Sequence, residues 1–303
     1  MSTSADIEIG RVRVLVGHNN GKYPHGNSVW IEGSEATAIL DPSLSVACRA
    51  DELRGRADLV LLSHVHEDHV AGLSLFPRAS VHCHADDRLG IASLDGLMEM
   101  YGYSAREEAA MRDFVVDQFH YQARPDAQAF QEDTVFDLGG VRVHVLHTPG
   151  HTRGHSVFLI EPEGVLFLGD IELSSFGPYY GDAWSNLEDF ERSITRVREI
   201  EATAWVSFHH VGVIRERPVF DERLDRFAAR VEEREGALRE FLLEPRSMAE
   251  MVSRRFLYPP HASFPFIDAV EQRTIEQHLV RMEARGLVGR EGNLWRATGV
   301  KSA

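Results

Sequence analysis

Four short apolar runs in this sequence each end in a histidine or an aspartate set just beyond the last apolar residue. Leu59 to Leu62 lead into SHVHEDHVAG, Ser63 to Gly72, which packs His64, His66, Asp68 and His69 into six residues. The other runs lead into His151 in HTPGHT, Asp170 in VLFLGD, and His210 in AWVSFHH. Apolar runs of this length bounded by turn signals read as strands. Loops at strand ends on a rigid scaffold are where reacting groups gather. The pattern therefore predicts one rim, fed by four strand ends, that carries seven candidate ligands.

The remaining pattern is consistent with a layered fold. VRVLVG, SVWIEG, TAILDPS and DLVLLSH read as strands up to about residue 82. Ser104 and Glu107 make a capping-box pair ahead of a helix to Phe119. Strands resume with TVFDLGG, VRVHVLHTPG, SVFLIEP and GVLFLGD, with a hairpin turn at Gly139 and Gly140. A second pair, Ser185 and Glu188, precedes a helix whose Leu187, Phe190, Ile194 and Val197 share one face, and Ala204 to Phe208 reads as the last strand. Two rounds of strands followed by helices predict an α/β fold, an αββα sandwich of two facing sheets with helices outside.

The character changes after Arg217, where an amphipathic stretch runs to Glu244. A short helix (Met248 to Phe256), a Pro-rich segment (YPPHASFP), a longer helix (Ala269 to Arg285) and a two-stranded wing (GLVGREGNLWRAT) follow. Residues 236–303 hold ten lysines or arginines against eight acids, in a chain of 303 residues with net charge -15. This asymmetry predicts a boundary near Gly236, with domains at 1–235 and 236–303.

The net negative charge repels phosphate backbones and argues against a nucleic-acid partner. No apolar stretch approaches 18 residues, so no membrane span is expected. MSTSADIEIG lacks the features of a secretory signal, and the expected location is cytoplasmic. Cys48 and Cys83 are too few for a disulfide framework and are expected to be reduced, buried thiols.

Imidazole and carboxylate suit borderline-soft divalent metals. Six such ligands plus one carboxylate able to bridge would hold two metals about 3.5–4 Å apart, an arrangement that lowers the pKa of a shared water. At this point the residues resemble the metallo-β-lactamase superfamily. Its HxHxDH motif stands here as His64, His66, Asp68 and His69, its TPGHT as Thr148 to Thr152, and its GD as Gly169 and Asp170, while its final histidine falls in SFHHVGVI. The resemblance covers residues 10 to 215. It implies two zinc ions, with iron or manganese as alternatives: His64, His66 and His151 on one, Asp68, His69 and His210 on the other, and Asp170 bridging. A hydroxide held by both ions is the nucleophile in hydrolytic members, and Asp68 could shuttle a proton to the leaving group. Many members have Gly-His-Gly at the last motif, so either His209 or His210 could be the final ligand; counting back from Val213 and Ile214 favours His210.

Neither the basic glutathione-binding pattern of the glyoxalase II group nor the tyrosine after GD of quorum-lactone hydrolases is present; Ile171, Glu172 and Leu173 follow Asp170. The C-terminal segment resembles the winged-helix-type tail of lactamase-like hydrolases of the β-lactamase-like-protein 2 group. Glu276 and Glu283 interrupt the basic face of its helix, which favours packing or contact with a second copy in a homo-oligomer over nucleic-acid reading. His82, His84, His144 and His147 read as packed or capping residues, and His155 as an outer partner that orients a ligand. The loop with His18, Lys22, Tyr23 and His25 reads as a plain turn. Met98, Met100, Tyr101 and Tyr103 read first as core; with Phe176, Tyr179 and Tyr180 they include the aromatic residues expected for a substrate wall. The expected function is hydrolysis of a small ester, thioester or lactone. The alternatives are a sulfur dioxygenase using one iron at His64, His151 and Asp170, and a metal-dependent nuclease.

Overall fold

The computed structural model describes residues 5–298. Strands β1 (Ile7–Ile9), β2 (Val12–Leu15), β3 (Ser28–Glu32), β4 (Thr37–Leu40), β5 (Leu59–Leu61), β6 (Ser80–His84) and β7 (Gln128–Phe130) form one sheet in chain order. It is antiparallel as far as β4 and parallel from β4 to β7. The second sheet has the order β13-β12-β11-β10-β9-β8. Its strands are β8 (Val135–Asp137), β9 (Arg142–His147), β10 (Ser156–Glu161), β11 (Val165–Phe167), β12 (Ala204–Val206) and β13 (Val213–Ile214). Gly139 and Gly140, at φ of 83° and 75°, make the turn between β8 and β9.

Alternation along the strands separates the layers. Leu40, Leu61, Phe158 and Val206 pack between the two sheets. Their neighbours Ile39 and Val60 point the other way, towards α1 (Leu94–Tyr101) and α2 (Ala105–Phe119), meeting Leu97, Met111 and Val115. On the far side Val157 and Trp205 meet α3 (Leu187–Glu199) and α4 (Arg217–Phe241) through Phe190, Ile194, Phe220 and Leu224. Central strands buried on both faces read as continuous apolar runs for this reason. The architecture is the expected αββα sandwich.

The helix starts are set by caps. Glu107 accepts the Ser104 backbone N–H at 3.0 Å at the head of α2, as the capping-box pair predicts. At α3 the expected Ser185 and Glu188 pair does not form. Asn186 is the cap, accepting the Asp189 N–H at 2.9 Å, because Ser185 Oγ donates to the His151 carbonyl at 2.7 Å.

The boundary expected at Gly236 falls inside α4, which runs unbroken for 25 residues. Leu238 and Leu242 at its end join α5 (Met248–Arg254), α6 (Ile267–Ala284) and the hairpin of β14 (Val288–Glu291) with β15 (Leu294–Ala297) around a small core of Met251, Ile275, Leu279, Met282 and Trp295. The head of α6 belongs elsewhere: Phe266, Ile267 and Val270 are buried in the core between the first sheet and its helices. Cys83 is buried as expected, whereas Cys48 is exposed. No helix among the described residues is long and apolar enough to cross a membrane.

Candidate metal centre

The HxHxDH segment turns sharply after β5. His66 caps the four-residue helix Glu67–Val70, so His64 lies before the turn while Asp68 and His69 lie within it. A buried carboxylate from the neighbouring strand end holds this turn: Asp41, just after β4, accepts the Ser63 N–H at 2.7 Å and the Ser63 hydroxyl at 2.5 Å. Another, Asp87, accepts the Thr152 hydroxyl at 2.6 Å and the Gly154 N–H at 2.8 Å, and so braces the loop that carries His151. Burial raises both carboxyls above their ordinary value, against the lowering pull of these hydrogen bonds.

Five imidazoles converge, and four of them have one ring nitrogen taken by an outer partner. His64 Nδ1 meets Ser63 Oγ at 3.0 Å, and His69 Nδ1 meets Asp41 Oδ2 at 2.8 Å. His151 Nδ1 donates to the Tyr179 carbonyl at 3.0 Å, and His209 Nδ1 to the Gly21 carbonyl at 2.8 Å. The fifth ring, His66, has its Nε2 3.1 Å from Asp182 Oδ2, but neither atom is hydrogen-bonded among the described residues. Such outer partners fix the tautomer and direction of a metal-binding ring. The inner nitrogens fall in two groups. Ligand-capable atoms of His64, His66, His151 and Asp170 lie within 4.8 Å of one another, as do those of Asp68, His69 and His209. Asp170 reaches both, with Oδ2 3.2 Å from His151 Nε2 and Oδ1 3.0 Å from His69 Nε2.

Whether this donor set suits metal ions can be judged from what its inner atoms do. His69 Nε2, Asp68 Oδ2 and Asp170 Oδ1 are buried with no hydrogen-bond partner. His69 Nε2 and Asp170 Oδ1 are near neighbours, yet off the hydrogen-bonding angle, as expected of atoms directed at a shared point. Buried polar atoms left this way are costly unless something binds them. Burial, helped by the neighbouring rings, holds His64 well below its ordinary value, whereas at His66 and His209 burial is outweighed by the neighbouring carboxylates, which raise the rings to about 9 and about 10. Burial opposes ionisation of Asp170, but His69 and His209 keep its carboxyl well below the usual range. The residues fit a pair of divalent cations.

The structure brings together six of the seven residues expected at the rim. The exception is His210, which is a correction to the favoured register. His209 Nε2 lies 2.9 Å from Asp68 Oδ2, whereas His210 is half-buried at φ of 59° with Nε2 3.9 Å from Glu172. The left-handed residue turns the chain at His210 and sends consecutive side chains apart, so the shape of the turn and not the distance back from Val213 decides which ring enters. His155 stands where an orienting partner is expected: its Nε2 accepts the Asp170 N–H at 3.1 Å, and burial pushes its pKa down to about 3, keeping that nitrogen an acceptor. His84 and His147 stack at 4.0 Å with planes 8° apart, which directs their in-plane nitrogens in parallel and not to one point.

A cavity of about 250 Å³ opens onto both groups. Tyr101, Tyr103, Phe176 and Tyr179 line it, while Tyr180, Met98 and Met100 lie in the core. Tyr23, from the loop read as a plain turn, lines it too and donates to Glu67 Oε1 at 3.0 Å. Tyr258, Phe264 and Phe266 complete the wall from the C-terminal segment. Sequence reading missed Asp41, Asp87 and Asp182. The usable signal is an aspartate directly after an apolar run at Asp41; Asp87 and Asp182 carry none.

A family model described as the metallo-beta-lactamase superfamily matches residues 24–200. The acyl-coenzyme A thioesterase MBLAC2 of Bos taurus is 29% identical over 202 residues, covering 59% of this chain and 70% of that one. The hydroxyacylglutathione hydrolase of Methylococcus capsulatus is 29% identical over 216 residues, 69% of this chain and 67% of that one. The atrochrysone carboxyl ACP thioesterase of Aspergillus fumigatus is 26% identical over 203 residues, and the match spans 52% of its length. Among solved structures, a metallo-beta-lactamase family protein from Thermus thermophilus superposes with a TM-score of 0.70 at 24% identity, over 95% of this chain and 98% of that one. The family match extends over more than half of the sequence, and the fold and the clustered histidines and aspartates accord with it: this chain belongs to the metallo-beta-lactamase superfamily of metal-dependent hydrolases.

Proposed function

We propose that this protein hydrolyses a small thioester or ester with two zinc ions, one held by His64, His66 and His151, the other by Asp68, His69 and His209, with Asp170 shared. The observation that carries the reading is the convergence of five imidazoles, four of them anchored outward, on two buried aspartates whose inner oxygens lack partners. The relatives named as thioesterases and as a hydroxyacylglutathione hydrolase support the thioester. Metal ions bound there would polarise the carbonyl and lower the pKa of a water molecule. Water supplies the oxygen of the new C–O bond and one proton; the C–S bond breaks and the thiol leaves carrying that proton.

The chain's own groups orient this chemistry. Asp41 and the carbonyls of Tyr179 and Gly21 fix three of the rings, and His155 fixes the Asp170 backbone. Asp68, which lines the cavity, would pass a proton to the leaving group. The aromatic wall excludes bulk water, which strengthens electrostatic interactions inside. The second cluster, Asp68 with His69 and His209, favours two ions over the one-iron dioxygenase arrangement, and the absence of lysine or arginine among the described residues of the cavity lining argues against a nuclease. The exposed Cys48 and the buried Cys83, both free, suit the reducing cytoplasm.

Elemental analysis after metal removal and zinc reconstitution tests the reading, together with turnover of a simple acyl thioester. Close to two ions per chain with restored turnover is the expected result. Saturation at one ion, or activity with iron alone, overturns it.

A further inference from the structure

The cavity beside the metal centre presents mainly ring faces; of its tyrosine hydroxyls only those of Tyr103 and Tyr258 are without a hydrogen-bond partner among the described residues. The hydroxyls of Tyr23 and Tyr101 both donate to Glu67, and that of Tyr179 donates to Asp182 Oδ1 at 3.0 Å. Among the described residues no lysine or arginine lines it, whereas Glu67 and Glu172 do, in addition to the aspartates of the centre. An anionic group entering here would meet carboxylates and lose its hydration without a partner. At about 250 Å³ the space is below the roughly 300–1,000 Å³ of drug-sized ligand pockets, enough for a short acyl group but not for a large carrier.

One wall of this cavity comes from outside the sandwich. Tyr258, Phe264 and Phe266 lie on the chain between α5 and α6. Phe264 stacks on Phe266 at 5.4 Å, and Tyr258 meets Phe176 across the cavity at 5.5 Å. Apolar contacts hold the rings, and the backbone at the start of the segment, up to Tyr258, is held by one carboxylate. Glu271, on α6 and fully buried, accepts the N–H groups of three successive residues: Phe256 at 2.9 Å, Leu257 at 3.0 Å and Tyr258 at 2.7 Å. Three amides on one carboxylate form an anion nest, and charge-assisted bonds of this kind are the strong ones.

We propose that the segment Leu257 to Phe266 is the acyl-selecting wall of the site, admitting a short, uncharged, apolar or aromatic acyl group, with Glu271 as the positioning residue that seats it. The substrate class deepens the hydrolytic reading and rests on it. Glu271 touches neither the metal-centre residues nor the cavity. It acts through Tyr258, so its loss should appear in recognition of the acyl group and not in the chemical step.

The test compares acetyl, hexanoyl, phenylacetyl and succinyl thioesters of one small thiol on the zinc-loaded wild type and on Glu271→Gln. The wild type is expected to favour hexanoyl and phenylacetyl over succinyl by about 100-fold in kcat/KM, the scale on which pocket contacts discriminate. In Glu271→Gln, KM for the two apolar substrates is expected to rise roughly tenfold, as for a lost charged hydrogen bond, with kcat, the acetyl reaction and zinc content unchanged. Equal use of succinyl, or a uniform fall in kcat, overturns the proposal. Phe264→Ala, at a residue 41% exposed, reads the same wall if Glu271→Gln does not fold. Calorimetric binding of phenylacetamide, neutral and measured without turnover, separates the two readings. Binding that weakens in the variants while no thioester is cleaved retains the wall and sinks the hydrolytic reading. Binding that is absent, or equal in wild type and variants, sinks the wall.

Discussion

His209 and His210 are chemically identical and adjacent, yet only His209 lies within reach of Asp68 and Asp170. In the two-ion arrangement we propose, His209→Ala is therefore expected to weaken the second metal by at least ~100-fold, and His210→Ala to leave it within a few-fold, read by competition with a chromophoric chelator. The reverse order would restore the register favoured by counting back from Val213. Asp41 gives a second test. It touches His69 Nδ1 and the Ser63 turn, and Asp41→Asn keeps the shape but loses the charge. An affinity loss of about 10–100-fold at the same ion is expected, with the fold intact by circular dichroism. An unchanged affinity would remove Asp41 from the support of the centre. Motif spacing cannot find such a residue, because its partners lie 22 and 28 positions away.

At the scale of elements, the sequence reading and the structure agree where a signal is local: Ser104 caps α2, Gly139 and Gly140 turn a hairpin, and apolar alternation assigns the strands to layers. Where a side chain has a better partner elsewhere, they differ, as with Ser185, drawn from the α3 cap to the His151 carbonyl. The contact of α4 with α6 has a pH signature. Glu235 is pushed down from 4.5 to about 2, first by the hydrogen bond from His278 and then by Arg281. The folded form thus binds a proton less readily than the unfolded chain, so the stabilisation is present above about pH 4.5 and is lost as pH falls towards 2. His278, lowered by burial, has the same sign: its contribution is lost as pH falls below its ordinary 6.5. Tm for wild type and Glu235→Gln, followed downward from about pH 6, should converge as the carboxylate protonates. A constant gap would show that the carboxylate's charge does not couple the two helices.

Across the whole molecule the C-terminal segment is continuous with the sandwich. Arg273 on α6 donates to the Tyr101 carbonyl at 2.8 Å, and Gln277 to the Tyr180 carbonyl at 2.7 Å, so one helix grips segments from both halves of the sandwich. A chain ending after Leu242 would lose Phe266, Ile267 and Val270 from a core where each buried side chain contributes about 1.5–3 kcal/mol. That loss is comparable with the net stability of about 5–15 kcal/mol of a folded domain. The truncated chain is expected to aggregate or to melt far below the full chain in calorimetry; an unchanged Tm would restore an independent domain beginning near Gly236. The sequence by itself determined the strand runs, the layered architecture and most of the histidines and aspartates that converge at the candidate centre, because apolar periodicity and the chemistry of a motif are written over a few neighbouring positions. Only the tertiary structure decided which of two adjacent histidines turns inward, which aspartates brace the rings, and that a distant Pro-rich segment walls the cavity. Those outcomes depend on contacts between residues tens to hundreds of positions apart, and such contacts exist only once the sheets and helices have packed.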